Sequence, residues 1–203
     1  LQARLVKWDG KMNAKSSEAV LANEARNQLA KVTVEQYFNY VEGLPPLAPT
    51  SHNVLLSEMN KDSSLMLGQF NNWDTAIEFA LLDAYKTLSQ KHGTNIDDWQ
   101  WGKEHKITWK HNLGRDPELQ PIFDLNPIEM GGDRNTVWNV GTPLGATGMH
   151  GVSYRQIIDL EDLNATLVVI PPGNSGQPGS PHYADHIKNW VEVKYNPLFI
   201  NWD

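Results

Sequence analysis

The sequence predicts an α+β fold, with a helical first half followed by antiparallel strands and a C-terminal helix. Three observations carry that expectation. Up to His92 the apolar residues recur at helical spacing; after Gly93 short β-prone runs alternate with turn signals; after Ser180 helical spacing returns.

In Ser16 to Lys31, Leu21, Ala25 and Leu29 fall four residues apart, and Glu18 sits in the first turn, where it complements the helix dipole. Three prolines between Gly43 and Pro49 forbid a helix there. A second helix is expected from Asp74 to His92, with Asp74 as cap, Gly93 as stop, and Ile77, Leu81, Ala84, Tyr85 and Leu88 as its core stripe. Trp99, Trp101 and Trp109 bracket a short strand at Lys106 to His111, Gly131-Gly132-Asp133 marks a turn, and Thr136 to Val140 is β-prone. Val152 to Leu160 alternates, with Val152, Tyr154, Ile158 and Leu160 on one side. Thr166 to Ile170 is an unbroken apolar run suited to a strand covered on both faces. With Glu161 to Ala165 as the turn, these two read as a hairpin inside a sheet. The last helix opens with Ser180 as cap and Pro181 in its first position, and places Tyr183, Ile187 and Trp190 on one face. The expected organisation is a mainly helical segment, 1–98, and a strand-rich segment, 99–203, forming one continuous structural unit.

Composition excludes several classes. Of 203 residues, 40% are hydrophobic and 20% charged, which suits a packed core and not a disordered chain. A net charge of -7 with scattered Lys and Arg argues against nucleic-acid binding. The absence of cysteine removes disulfides, thiolate metal sites and cysteine nucleophiles. No apolar run approaches the roughly 20 residues of a membrane span. The chain begins at Leu1 with no signal-peptide pattern, as expected of a processed chain or a piece of a longer one.

Candidate chemical sites are few. His182 and His186 have one-turn metal-ligand spacing, but Tyr183 stands where a zincin helix needs Glu, and only Asp185 is near. Capping and surface roles fit these histidines better. The loop Gly173-Asn174-Ser175-Gly176-Gln177-Pro178-Gly179 lacks the Lys-Ser/Thr ending of a phosphate loop, and Gln177 breaks a nucleophile elbow. A structural loop is expected, and spacing leaves a Ser-His-Asp triad open. The eight tryptophans could line a carbohydrate platform or pack into the core. Asn164-Ala165-Thr166 is a glycosylation sequon.

Several ordered segments resemble the penicillin acylase (penicillin amidase) family of N-terminal-nucleophile hydrolases. Gly176 to Pro197 is similar to that family's closing segment, with a Ser-Gly-x-Pro loop, Ser180-Pro181-His182-Tyr183, Trp190 and a Tyr-x-Pro ending. Gly151 to Leu160 resembles its Ser-x-Arg strand ending in Asp-Leu, and Gly131 to Val137 its Gly-Asp-x-x-Thr turn. Trp99-Gln100-Trp101-Gly102 followed by His105, and Trp8-Asp9-Gly10, fit the same pattern. His186 departs from it, since relatives often carry Gln there. The resemblance covers the chain essentially end to end.

The resemblance implies an αββα sandwich and hydrolysis of a linear N-acyl amide by a Ser, Thr or Cys freed at a new N-terminus. Its α-amine acts as base, and an oxyanion hole stabilises the tetrahedral intermediate. Leu1 offers no such nucleophile, and the family's nucleophile, oxyanion Asn and calcium ligands would all precede the matched region. No catalytic residue, metal ligand or cofactor is therefore assigned to this chain. Asn135 and Thr136 are the expected substrate-binding residues, as pocket wall, against the competing reading of a tight turn held by Asp133. The implied partners are the rest of the same enzyme (the alpha subunit and the N-terminal part of the beta subunit) and a small N-acyl substrate, in the periplasm or outside the cell. Alone, the piece is expected to expose an apolar patch and self-associate or lose stability. The competing class is an independent binding module using its Trp rings for carbohydrate or protein. Within the family, acyl-homoserine lactones compete with β-lactams as substrate.

Overall fold

The computed structural model describes residues 1–35, 37, 52–141, 147–148 and 151–199, with 35, 147 and 148 described by backbone alone. The proline-bearing stretch from Gly43 to Pro49 and Trp202 lie outside the described residues. The chain is α+β and divides into two compact units, Leu1–Lys11 with Lys15–Trp101, and Met12–Ala14 with Gly102–Asp203.

The first unit is helical. It comprises α1 (Gln2–Lys7), α2 (Ser17–Ala30, extended by a π-helical turn at Lys31–Glu35), α3 (His52–Asn60), α4 (Trp73–His92) and a 3-10 turn at Ile96–Asp98. The Ser16 hydroxyl caps α2 by accepting the Ala19 N–H at 3.1 Å, satisfying one of the orphan donors of a helix start. At α4 the cap is Asn72, whose Oδ1 accepts the Thr75 N–H at 2.9 Å. Asp74, the expected cap, lies in the first turn instead. Gly93 ends α4 with a φ of 84°, and Lys91 and His92 occupy the last turn, where positive charge favours the helix dipole. Arg4 binds Glu18 at 2.8 Å and Asp97 at 2.7 Å, so one guanidinium holds α1, α2 and the 3-10 turn together.

The core face of α4 differs from the expected stripe. Trp73, Ala76, Ala80, Ala84 and Leu88 are buried, whereas Ile77 is 38% exposed and Leu81 and Tyr85 are half-buried. The reason is the neighbour: α4 lies along α2, and a face of alanines lets two backbones approach closely where Ile and Leu would hold them apart. Larger side chains fill the space around this seam, with Leu29, Val34, Leu55, Met66 and Leu67 in the same cluster.

The second unit carries the strands. In order these are β1 (Lys106–Ile107), β2 (Ile128–Glu129), β3 (Thr147–Gly148), β4 (Arg155–Ile157), β5 (Leu167–Val169) and β6 (Asn196–Pro197). Short helices α5 (Trp101–Glu104, across the division), α6 (Gln120–Phe123) and α7 (Ile187–Val191) accompany them. One sheet has the order β2-β1-β3, the other β4-β5-β6. The second is antiparallel throughout, but β1 and β3 run parallel, which corrects the purely antiparallel expectation. The cluster of Ile107, Met130, Val140, Val169 and Trp190 forms the core of this unit.

Four further expectations change here. The strand at Lys106 to His111 stops after Ile107, because the chain past Trp109 turns to bind elsewhere: Trp109 O accepts the Leu125 N–H and Asp124 the His111 N–H. Thr136 to Val140 is no strand; it makes only isolated bridges, since the Thr136 hydroxyl bonds the turn's own backbone. The hairpin of β4 and β5 forms in the register Arg155↔Val169, with β5 central, but among the described residues β4 is an edge, and Tyr154, Ile158 and Leu160 are 49%, 53% and 88% exposed. Cover on β5 is therefore partial: Thr166 and Val169 are buried, Leu167 and Val168 half-buried.

The closing helix begins at Ile187 after the cap position His186, not at Pro181 after Ser180. The Ser180 hydroxyl accepts the His182 N–H at 3.2 Å, and the N–H groups of Ser175 and His186 bind His182 O and Pro172 O. Those bonds tie residues 180–186 to the preceding loop in turns, leaving fewer groups for a helical ladder.

The two versions of the α4 face make different demands. Ala80→Leu, at a 1% exposed seam position, is expected to destabilise by about 1–3 kcal/mol, and Ile77→Ala, at 38% exposure on the expected stripe, by no more than about 0.5 kcal/mol, measured by urea unfolding. The reverse ranking would return the core to the Ile77–Leu81 side.

Candidate functional site

The residues flagged by sequence gather in two places, both within the second unit. The first is the turn Gly131–Trp138. Gly132 has a φ of 73°, and a Cβ there would collide with the carbonyl oxygen of Trp138, so both backbone angle and close approach demand glycine. Asp133 anchors the turn: its Oδ1 accepts the Asn135 N–H at 2.8 Å, and its N–H donates to the Thr136 hydroxyl at 2.9 Å. Thr136 in turn faces the carbonyls of Asp133 and Trp138. Asn135 is exposed and Thr136 half-buried.

The second place joins the loop after β5 to the turns before α7. A Cβ on Gly173 would meet the carbonyl oxygen of His182, which explains a glycine opposite the Ser-Pro-His-Tyr segment. A groove of about 370 Å³ opens beside the loop, lined by Trp109, His111, Leu125 and Tyr183 together with Pro172–Gly176 and Lys110. His111 stacks on Phe123 with 4.7 Å between ring centroids, and the Tyr183 hydroxyl donates to the Phe123 carbonyl. Neither Asn135 nor Thr136 lines this groove or the cavity of about 580 Å³ beside Leu1, Ile77 and Leu82 in the first unit.

Ser175, His182 and Asp185 come close in this region without forming a triad. His182 Nδ1 and Asp185 Oδ2 are 2.9 Å apart, and the imidazole holds the carboxyl below its ordinary range. The Ser175 hydroxyl accepts the Gln177 N–H at 3.1 Å, and no hydrogen bond links it to the His182 ring. A serine becomes a nucleophile only with a base in hydrogen-bond reach. His186 Nδ1 meets Ile170 O at 2.9 Å, so the two histidines serve separate partners and do not share a helix face. Among the described residues no group of three or more His, Asp or Glu is arranged around a common point.

Two residues with defined internal tasks went unassigned by sequence. Arg155 lies over Trp190, 4.7 Å from the ring centroid, and donates to Trp190 O at 2.8 Å. Burial lowers its proton affinity, with Tyr195 opposing, yet a guanidinium stays charged at any ordinary pH. It thereby clamps β4 to the carbonyl end of α7, the favourable end for a cation. His105 is 1% exposed, with Nε2 2.7 Å from Val140 O and Nδ1 3.3 Å from Met130 O. A neutral ring has one N–H, so the shorter contact takes it. The Trp-x-Trp-Gly motif upstream of His105 was the available signal, but it carries no hint of the strand ends that the ring joins.

The tryptophans bear on the alternative of a binding module. Trp73, Trp99, Trp101 and Trp190 are buried and Trp8, Trp109 and Trp138 half-buried, so no described ring is exposed as a stacking platform.

The fold and these motif contacts define an α+β domain whose glycine, Arg and Trp positions have specific structural tasks. The sequence matches the penicillin amidase family over residues 1–203, and the chain belongs to that family. It is 28% identical over 217 residues to the penicillin acylase 2 proenzyme of Pseudomonas sp. (strain SE83), covering 100% of this chain and 27% of that protein. It is also 26% identical to the acyl-homoserine lactone acylase QuiP of Pseudomonas fluorescens over 97% of this chain and 25% of that protein. The QuiP of Pseudomonas aeruginosa is similarly 26% identical, over 95% and 26%. The chain thus spans about a quarter of the length of these relatives.

His105 makes stability depend on pH. Burial, the largest effect, lowers its pKa from the ordinary 6.5, with its two carbonyl contacts and Asp133 opposing. The unfolded chain then binds more protons than the folded one between the lowered value and 6.5. Stability is complete above that window and falls as pH drops through it, by up to about 1.4 kcal/mol per pH unit. Denaturant unfolding across this range is expected to lose most of that slope in His105→Gln, whatever the absolute stability of the variant.

Proposed function

We propose that this chain is the C-terminal part of an amidohydrolase that cleaves a linear N-acyl amide, and that it supplies scaffold and pocket wall while the nucleophile lies outside it. One observation carries the reading: the family match runs through the whole chain, yet the chain spans only about a quarter of its relatives. In an enzyme of this kind a hydroxyl or thiol at a free N-terminus attacks the amide carbonyl with its own α-amine as base. Among the described residues the Ser175 hydroxyl has no base partner within hydrogen-bond reach, its one contact being the Gln177 N–H. The described part contributes rigid walls instead, fitting the β-layer of an αββα sandwich.

The proposed partners are the rest of the enzyme and a small N-acyl substrate. Penicillin-type amides and acyl-homoserine lactones are the candidates, after the names of the two kinds of relative. The proposed location is the periplasm or the exterior of the cell. No cofactor is assigned to this chain; any calcium would be held by residues outside it.

Asn135 is the proposed substrate contact, because its side chain is exposed while its own N–H is held by Asp133 Oδ1. Thr136, bonded into the turn, holds it in place. The test is hydrolysis of a phenylacetyl and a long-chain acyl chromogenic amide by this chain and by a longer protein containing it. Activity is expected only in the longer protein; turnover by the 203-residue chain would overturn the scaffold role. In the longer protein Asn135→Ala is expected to lower kcat/KM about five-fold or more for at least one acyl group, as for one lost hydrogen bond. Thr136→Ala is expected to cost about 1 kcal/mol of stability. Unchanged kcat/KM in Asn135→Ala across both substrates would remove it from the pocket.

A further inference from the structure

We infer that the groove beside the loop after β5 is a binding site for a small carboxylate with a flat, single-ring apolar body. The inference goes beyond the proposed function and does not rest on it, since every wall of the groove belongs to the second unit of this chain.

The walls are held in place by contacts within the unit. Trp109 stands edge-on to the buried Trp190, with 5.5 Å between ring centroids, so its indole is fixed against the core. His111 stacks on Phe123, and the Tyr183 hydroxyl donates to the Phe123 carbonyl, so one residue ties both rings. The Leu125 N–H donates to the carbonyl of Trp109 at 3.1 Å, which joins a further wall residue to the same frame. Walls ordered in advance spare a ligand the cost of ordering them. A volume of about 370 Å³ lies at the small end of the range for ligand pockets, enough for one ring and one head group.

Four of the lining side chains carry donors that no described acceptor meets. Nδ1 of His111 accepts the Leu113 N–H at 3.1 Å, which leaves the proton of a neutral ring on Nε2. The Ser175 hydroxyl accepts the Gln177 N–H at 3.1 Å, and its own proton remains to be donated. Trp109 Nε1 and Lys110 Nζ make no hydrogen bond or ion pair among the described residues. No lining residue is acidic, in a chain whose net charge is -7. Two carboxylates contact residues of this region, and both are engaged: Asp124 accepts the His111 N–H at 2.8 Å, and Asp185 meets His182 Nδ1 at 2.9 Å. Unused donors, a cation and no acid suit a group that only accepts. A carboxylate does so through two oxygens, and its hydrogen bonds are charge-assisted. A bare inorganic anion would leave the indole, the phenol ring and Leu125 uncovered, so the head group comes with a flat apolar body.

Benzoate is the probe, with benzamide as its neutral counterpart and acetate as the head group alone. Binding is read from the indole N–H signals in the NMR spectrum of the isotope-labelled protein, which has eight tryptophans. The Trp109 signal is the one that disappears in Trp109→Phe. Benzoate is expected to shift it with a Kd on the order of 1 mM, and benzamide and acetate to bind at least about five-fold more weakly. Lys110→Met is expected to weaken benzoate at least about three-fold and to leave benzamide unchanged, and Ser175→Ala to weaken benzoate about three-fold. Unmoved signals from the other tryptophans show that each variant is folded. Equal affinity for benzoate and benzamide, acetate as good as benzoate, or a Trp109 signal that never moves each overturns the inference. So does a Trp109 signal insensitive to benzoate in a longer protein containing this chain, because the groove is then filled by other segments.

Discussion

The second unit depends on how one indole is held. Trp190 is fully buried, and each of its parts meets a different element. Its Nε1 donates to Val152 O at 3.0 Å, and its carbonyl accepts from Arg155. The Trp109 ring meets it edge-on at 5.5 Å, and the Arg155 guanidinium lies over its face. A Cβ on Gly151 would come within 2.9 Å of the six-membered ring, so the chain passes the indole at a distance only glycine permits. Apolar burial is the largest of these contributions: removing a core aromatic costs about 3–5 kcal/mol, against about 0.5–1.5 kcal/mol for one net hydrogen bond or one aromatic pair. The directional contacts supply less energy but settle which strand, which loop and which rotamer surround the ring.

This arrangement explains why the family motifs lie where they do. Gly151 and Arg155 belong to one motif and Trp190 to another, some 35 residues later, yet they are one cluster in space. Gly132 and Thr136 close their turn, and Gly173 makes room for the carbonyl of His182. The residues that carry the resemblance are thus those whose replacement would break the frame. Reaction chemistry is written in them only indirectly, because a frame is shared by every enzyme that uses it, whatever its acyl group. The family was therefore legible from the chain, while substrate choice was not.

Local chemistry decided which elements could be read in advance. The helices α2 and α4 follow from hydroxyl and amide caps, apolar spacing and a glycine stop, all set within a few residues of sequence. The core stripe of α4 was misread because hydropathy ranks Ile77 and Leu81 above Ala76 and Ala80, whereas the distance to α2 selects small side chains. That distance is a property of two helices together. Strand lengths failed for the same reason: Lys106 to His111 is β-prone throughout, but Asp124, from beyond the next turn, takes the His111 N–H. The helix α7 starts six residues after the expected point, where Ser180 and Pro181 form a good local helix start. The competing partners, Pro172 O and Ile170 O, are far off in sequence. At the candidate site, the Asp133 turn was legible from its Gly-Gly-Asp signal, whereas the groove beside Trp109 and Tyr183 unites residues more than 70 apart.

The distribution of apolar side chains adds a last constraint. A 203-residue chain can bury a substantial core, and the clusters around Trp73 and Trp190 demonstrate that this one does. Exposed large apolar side chains nevertheless concentrate in one short stretch: Tyr154, Ile157, Ile158, Leu160 and Leu163 occur within ten residues. The same stretch contains Arg155, a charge committed to holding the sheet against Trp190. Within β4 the exposed apolar residue, Ile157 at 50%, lies on the same side as Arg155, and the position facing the other way is the polar Gln156. β4 is thus held to the unit by its pairing with β5 and by the Arg155–Trp190 contacts, and not by burial of its own apolar side chain.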